Sequence, residues 1–193
     1  NSRVLDFCSG WGGRLLGFWF SQNAAFYCGV DPNKMLLERY NKMIDVLRKR
    51  FPDYRKKCQF YQLGAETDEL RVNLESLPNF DLVFTSPPYF DREIYVENDM
   101  TQSCNKFKTY QTWKKGFLEP AISNSVGCLK ENGYLLINAA NIDRCPTLVN
   151  DICFFVTSTL KILYFGIISM PFPSRGKGKK KSEPISVFKK CSS

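Results

Sequence analysis

Ser86, Pro87, Pro88 and Tyr89 stand in a row directly after the apolar run Phe80–Thr85. Neither proline carries an N–H and both fix φ, so the turn is stiff and rich in free acceptors. The Ser86 hydroxyl and the Pro87 carbonyl can each accept one N–H of a primary amino group. An exocyclic amino group on a nucleobase is a poor nucleophile, because its lone pair is delocalised into the ring. Two acceptors that take its hydrogens draw the nitrogen toward tetrahedral geometry and aim the lone pair at an electrophilic methyl. Tyr89 adds an aromatic face on which a base can stack. The expected chemistry is direct in-line methyl transfer, driven by positioning and by hydrogen bonds that strengthen in the transition state. A base inside a duplex is beyond reach of such a turn, so it would be flipped out. The bland alternative is a strand-ending turn with incidental prolines.

A second candidate lies near the start of the sequence. Asp6 precedes Ser9-Gly10-Trp11-Gly12-Gly13, and Asp31 closes the next apolar run. Glycines permit a tight turn and close approach of a ligand to the backbone. An acid at the end of the following strand can accept hydrogen bonds from both ribose hydroxyls. Such loops serve NAD, FAD and S-adenosylmethionine alike, and the same turn can exist without a ligand. Two details favour S-adenosylmethionine. Asp6 would repel a pyrophosphate but attract an α-ammonium group, and Glu66, after a third apolar run, can accept from an adenine amino group. Read blandly, Glu66 is a solvated helix-cap residue.

Both segments need a scaffold that brings them to one edge. Apolar stretches at residues 3–7, 25–30, 58–63, 80–85 and 133–138 read as strands. Amphipathic stretches at 14–21, 33–50, 110–129 and 147–160 read as helices. Helices between strands imply crossover connections, which build a parallel sheet covered on both faces. Residues 163–170 and 185–189 are joined only by a Pro-, Gly- and Lys-rich stretch and read as an antiparallel hairpin. The expected fold class is α/β, a Rossmann-like, mostly parallel sheet ending in that hairpin, and in open sheets of this kind ligands bind at the carboxyl ends of the strands.

At 193 residues, 44% of them hydrophobic, the chain suits a single domain spanning 1–193. Charges or turn residues interrupt every apolar run before it could span a membrane. The eight cysteines form no CxxC pair and no histidine accompanies them, so no metal is expected. Reduced thiols in a cytoplasmic or nuclear protein are the expected state, with Cys8, Cys28, Cys58 and Cys153 as small core residues. A formal charge of +8 fits an anionic partner such as nucleic acid.

Asp6-Phe7-Cys8-Ser9-Gly10-Trp11-Gly12-Gly13 resembles the cofactor-binding motif of class I methyltransferases. Thr85-Ser86-Pro87-Pro88-Tyr89 is similar to the catalytic motif of the amino-directed DNA methyltransferases, among them the phage and restriction-modification type enzymes. The stretches Leu129 to Leu136, Thr101 to Trp113 and Glu183 to Lys189 share this likeness, which covers nearly the whole chain. The resemblance implies a seven-stranded sheet and S-adenosylmethionine as cofactor, held by Asp6, Phe7, Cys8, Ser9, Gly10, Gly12, Asp31, Pro32, Glu66 and Ser86. Serine at position 86 resembles the cytosine-N4 enzymes more than the adenine-N6 ones. None of the cysteines follows a proline in a Pro-Cys pair, which argues against cytosine-C5 chemistry through a covalent thiolate. RNA and protein glutamine are substrates of related Asn-Pro-Pro-Tyr enzymes, and a silent nucleic-acid-binding partner subunit is the reading of a different class. The family's helix upstream of the first strand has no counterpart in these residues, nor does a separate target-recognition domain.

Residues 90–108 form a polar connection after the catalytic turn, and segments of this length in compact domains are usually functional or disordered. It is expected to cover a flipped base, with Phe90, Tyr95 and Tyr110 as stacking partners. Arg175, Lys177 and Lys179 belong to the most basic run and are the candidates for phosphate contacts on double- or single-stranded DNA. Recognition of a target sequence would come from loops or from a partner outside the chain. The basic stretches 48–50 and 55–57 read as a solvated face.

Overall fold

Five parallel strands, β1 (Ser2–Asp6), β2 (Ala24–Val30), β3 (Lys57–Tyr61), β4 (Phe80–Thr85) and β5 (Leu129–Asn138), form most of one sheet. β6 (Leu163–Pro171) and β7 (Ser182–Lys189) complete it as an antiparallel pair, in the order β3-β2-β1-β4-β5-β7-β6. The computed structural model describes residues 1–95, 99–171 and 182–192. The basic residues Arg175, Lys177 and Lys179 therefore lie outside the described residues.

Alternation along the strands divides the core in two. Val4 and Tyr27 point toward α1 (Gly13–Phe20) and α2 (Lys34–Arg50), packing with Leu15, Phe18, Trp19 and Ile44. Leu5, Cys28, Val83 and Leu135 point to the opposite face and meet the remaining helices. These are α3 (Asp68–Glu75), α5 (Tyr110–Trp113), α6 (Glu119–Gly127) and α7 (Leu148–Phe154). α4 (Ser103–Lys106) is a single turn within the connection after β4. No helix among the described residues is long and apolar enough to cross a membrane.

Three differences from the sequence expectation have physical causes. α3 is an added element, capped by Thr67, whose hydroxyl accepts from the Leu70 N–H at 3.2 Å, with Asp68 and Glu69 in its first turn. It buries only Leu70 and Leu74, too few apolar positions to show a period. The helix expected over 110–129 is interrupted by a π turn at Lys114–Leu118. Pro120 follows it, and a proline ring displaces the carbonyl four residues back, here that of Gly116, which the wider turn accommodates. α7 likewise passes into a π turn at Phe155–Thr159, where the Thr157 hydroxyl donates to the Cys153 carbonyl at 2.8 Å and bends the helix.

The end of β1 is fixed by a buried ionic cluster. Asp6 is fully buried and accepts from Arg14 Nε at 2.7 Å, from the second Arg14 nitrogen at 3.1 Å and from the Tyr27 hydroxyl at 2.8 Å. Arg14 also donates to the Cys8 carbonyl. Burial works against the Arg14 charge, but Asp6 outweighs it and holds the guanidinium pKa above its ordinary value. Removing one partner of such a pair leaves a charge without compensation. Asp6→Ala should lower unfolding stability by about 3 kcal/mol in urea denaturation. The double substitution Asp6→Ala/Arg14→Met should recover part of that loss.

Candidate active site

The turns after β1, β2 and β4 gather at the carboxyl edge of the sheet and surround a cavity of about 440 Å³. That volume lies within the usual range for small-molecule sites. Phe7, Cys8, Ser9, Gly10, Asp31 and Pro32 line it together with Ser86 and Pro88. Two motifs far apart in sequence thus share one wall.

The glycine loop owes its course to backbone angles and a small hydrogen-bond network. Gly10 and Gly12 have φ of 53° and 86°, a region that side-chain-bearing residues avoid. A Cβ on Gly12 would also lie 3.1 Å from Met43 Cε. The Ser9 N–H donates to the Val30 carbonyl at 3.0 Å, and its hydroxyl reaches the same carbonyl at 3.1 Å. The Tyr40 hydroxyl donates to the Gly10 carbonyl. Tyr40 and Arg14, neither of them expected from sequence, are therefore what positions the loop.

Asp31 accepts from the Gly10 N–H through one oxygen and from the Asn33 N–H through the other, both at 3.0 Å. Each oxygen keeps a further lone pair. Burial raises the Asp31 pKa above its ordinary 3.8, and the two backbone donors offset only part of that rise. Burial also pushes the Cys8 thiol well up, so this wall residue stays neutral.

The cavity wall is anionic. Among the described residues Asp31, Glu93 and Asp99 line it, against one lining cation, Arg14, which is bound to Asp6. Asp6 itself is placed beneath the wall, its carboxylate engaged by Arg14 and Tyr27, so it acts on the cavity through its partners. Glu66 is also set back from the lining residues. It pairs with Lys106 at 2.9 Å, and its neighbour Ala65 takes the place on the wall.

Ser86 forms part of the wall. Burial pushes the Tyr89 hydroxyl up to about 12, and the Ser86 side chain works against that rise. The stacking role expected of Tyr89, Phe90 and Tyr110 needs correction. Tyr89 and Phe90 are buried in the core, where neighbouring side chains already cover their rings. Phe90, held at φ 54°, packs against Trp113 with ring centres 5.9 Å apart and against Tyr110 at 6.2 Å. The Tyr110 hydroxyl is committed to Asp151 at 2.6 Å. The exposed aromatic faces on the cavity are Tyr95, as expected, and Trp11, 52% and 61% exposed, which meet edge to face at 6.4 Å. Trp11 was legible only as the variable residue inside the glycine motif.

No protein-family model and no curated protein matches the chain. Solved structures do. A methyltransferase from Pyrococcus furiosus superposes with a TM-score of 0.63 at 12% identity, over 100% of this chain and 76% of that one. Precorrin-6y C5,15-methyltransferase from Geobacter metallireducens GS-15 gives 0.57 at 16% identity, over 100% and 81%. N-methyltransferase NodS from Bradyrhizobium japonicum WM9, in complex with S-adenosyl-l-homocysteine, gives 0.58 at 13%, over 98% and 78%. The chain thus has the Rossmann-like methyltransferase fold.

Because the angle at Gly12 is itself unfavourable to a side chain, Gly12→Ala should lose about 1–2 kcal/mol of stability in thermal or denaturant unfolding. Adding Met43→Ala should leave most of that loss in place, since the strain lies in the backbone.

Proposed function

We propose that the chain methylates an exocyclic amino group of a DNA base with S-adenosylmethionine, cytosine N4 being favoured. The observation that carries the cofactor is the charge of the cavity. A wall that holds, among the described residues, three acids and one internally paired cation attracts a sulfonium and an α-ammonium group and repels a pyrophosphate. Asp31 has a lone pair left on each oxygen for the two ribose hydroxyls. The residues present therefore fit S-adenosylmethionine, and the likeness to methyltransferases of known structure supports the same reading. Bound there, the cofactor supplies an electrophilic methyl group.

The chain's own residues then act on the amino group. Ser86, on the cavity wall, accepts one of its hydrogens, and the Pro87 carbonyl accepts the other. Tyr89, three residues on, keeps a neutral hydroxyl because burial raises its pKa. Pro87 and Pro88 fix the turn, so the acceptors need little reorganisation as positive charge develops on nitrogen. Trp11 and Tyr95 offer the aromatic faces that a flipped base needs.

Asp31 links binding to pH. Its raised pKa means that burying the carboxylate opposes folding at neutral pH, a cost absent below pH 3.8 and complete above the folded pKa. Ribose hydroxyls donate to the ionised form, so cofactor affinity should be highest above that pKa and fall as pH drops through it. Isothermal titration calorimetry across pH should show this fall, and Asp31→Ala should weaken binding about 100-fold at neutral pH.

Incubation with S-adenosylmethionine and mixed-sequence double- or single-stranded DNA, followed by nucleoside mass spectrometry, tests the reaction. N4-methylcytosine is the expected product, and Pro87→Ala should lower the rate while sparing cofactor binding. N6-methyladenine would correct the base, and methylated RNA or glutamine with unmodified DNA would overturn the substrate.

A further inference from the structure

The end of the sheet opposite the cavity carries a second surface. Phe20 closes α1, Arg50 closes α2, Ala24 opens β2 and Lys57 opens β3. β2 is seven residues long, so this end lies roughly 20 Å from the glycine loop. Residues 45–57 hold six basic side chains against two acids, Asp45 and Asp53. Lys56 is structural, donating to the Ser21 and Ala24 carbonyls. Arg48, Lys49, Arg50, Arg55 and Lys57 are exposed and form no ion pair among the described residues.

A helix dipole accounts for cations on the last turn of α2, but not for Arg55 or Lys57. The structure adds what the sequence hides. Phe20, from the end of α1, meets Phe51 at 5.1 Å and Tyr54 at 6.0 Å between ring centres. Phe20 and Tyr54 remain 46% and 37% exposed in the midst of the cations. Their exposed faces offer stacking surface beside five cations that are unpaired among the described residues. Cations that track phosphates, interleaved with rings on which bases stack, are the combination that holds single-stranded nucleic acid.

We propose that this surface binds single-stranded nucleic acid, Arg48, Lys49, Arg50, Arg55 and Lys57 contacting phosphates and Phe20 and Tyr54 stacking on bases. It deepens the proposed function, on whose nucleic-acid substrate its purpose rests, but it is tested by binding alone. A strand held here is anchored away from the cavity, which favours substrates with an unpaired segment remote from the target base.

Fluorescence anisotropy of a labelled oligothymidylate and of a duplex, across a salt series, provides the test. The triple variant Arg50→Gln/Arg55→Gln/Lys57→Gln should flatten the slope of log affinity against log salt for the single strand by about 2. Tyr54→Ala should weaken the single strand roughly fivefold or more, leaving the slope and the duplex affinity in place, and Tyr54→Phe should retain binding. An unchanged slope in the triple variant, equal losses on strand and duplex for Tyr54→Ala, or equally tight binding of polyglutamate would overturn the proposal. A flattened slope without any methylated nucleoside would keep this surface and overturn the proposed reaction. A methylated nucleoside with an unchanged slope would do the reverse.

Discussion

The buried pairing of Asp6 with Arg14 and Tyr27 is the constraint on which the rest of the site depends. It ties the last residue of β1 to the first turn of α1 and to the neighbouring strand β2. The glycine loop spans the space between those anchors, so its ends cannot move independently. The pairing also fixes the charge of the cavity, because Arg14 would otherwise stand as a free cation in its wall. With Arg14 neutralised from below, Asp31, Glu93 and Asp99 set the sign of the field. One internal ion pair thus decides both the shape of the loop and the class of ligand it admits.

The Ser86–Tyr89 turn follows the same logic with different means. Pro87 and Pro88 stiffen it through covalent geometry, and Phe90, at a left-handed φ, turns the chain back into the core. An αL conformation at a phenylalanine is unfavourable, and here Trp113 and Tyr110 hold it. The rings after the turn serve as its anchor, which leaves Ser86 as the polar group presented to the cavity.

Much of the scaffold was legible in the sequence because its signals are local. Apolar runs marked β1, β2, β4 and the terminal pair, and the acid, glycines and second acid marked the loop and Asp31. What escaped depended on partners distant in sequence. Glu66 reads as a cavity acid until Lys106 is seen beside it. Tyr89 and Phe90 read as exposed aromatics until the helices that cover them are in place. The π turns are the local exception, arising from Pro120 and from the Thr157 hydroxyl, neither of which breaks an apolar period. The residues 48–50 and 55–57 read as solvated charge, and the ring that joins Phe51 and Tyr54, Phe20, comes from another helix.

The strand order has a kinetic side. β1 pairs with β4 across most of the first half of the chain, and the Arg3 N–H donates to an Asp81 oxygen at a separation of 78 residues. Contacts of such long range form slowly, because the intervening loop must be closed before they are rewarded. The glycine loop and the Ser86 turn become neighbours only in that step. During synthesis the β1 segment must therefore wait, unpaired on that side, until β4 has emerged, and any early intermediate lacks an assembled cavity. Ligand binding consequently reports completion of the central sheet, and a ligand added during refolding can stabilise the product of that late step without hastening its approach.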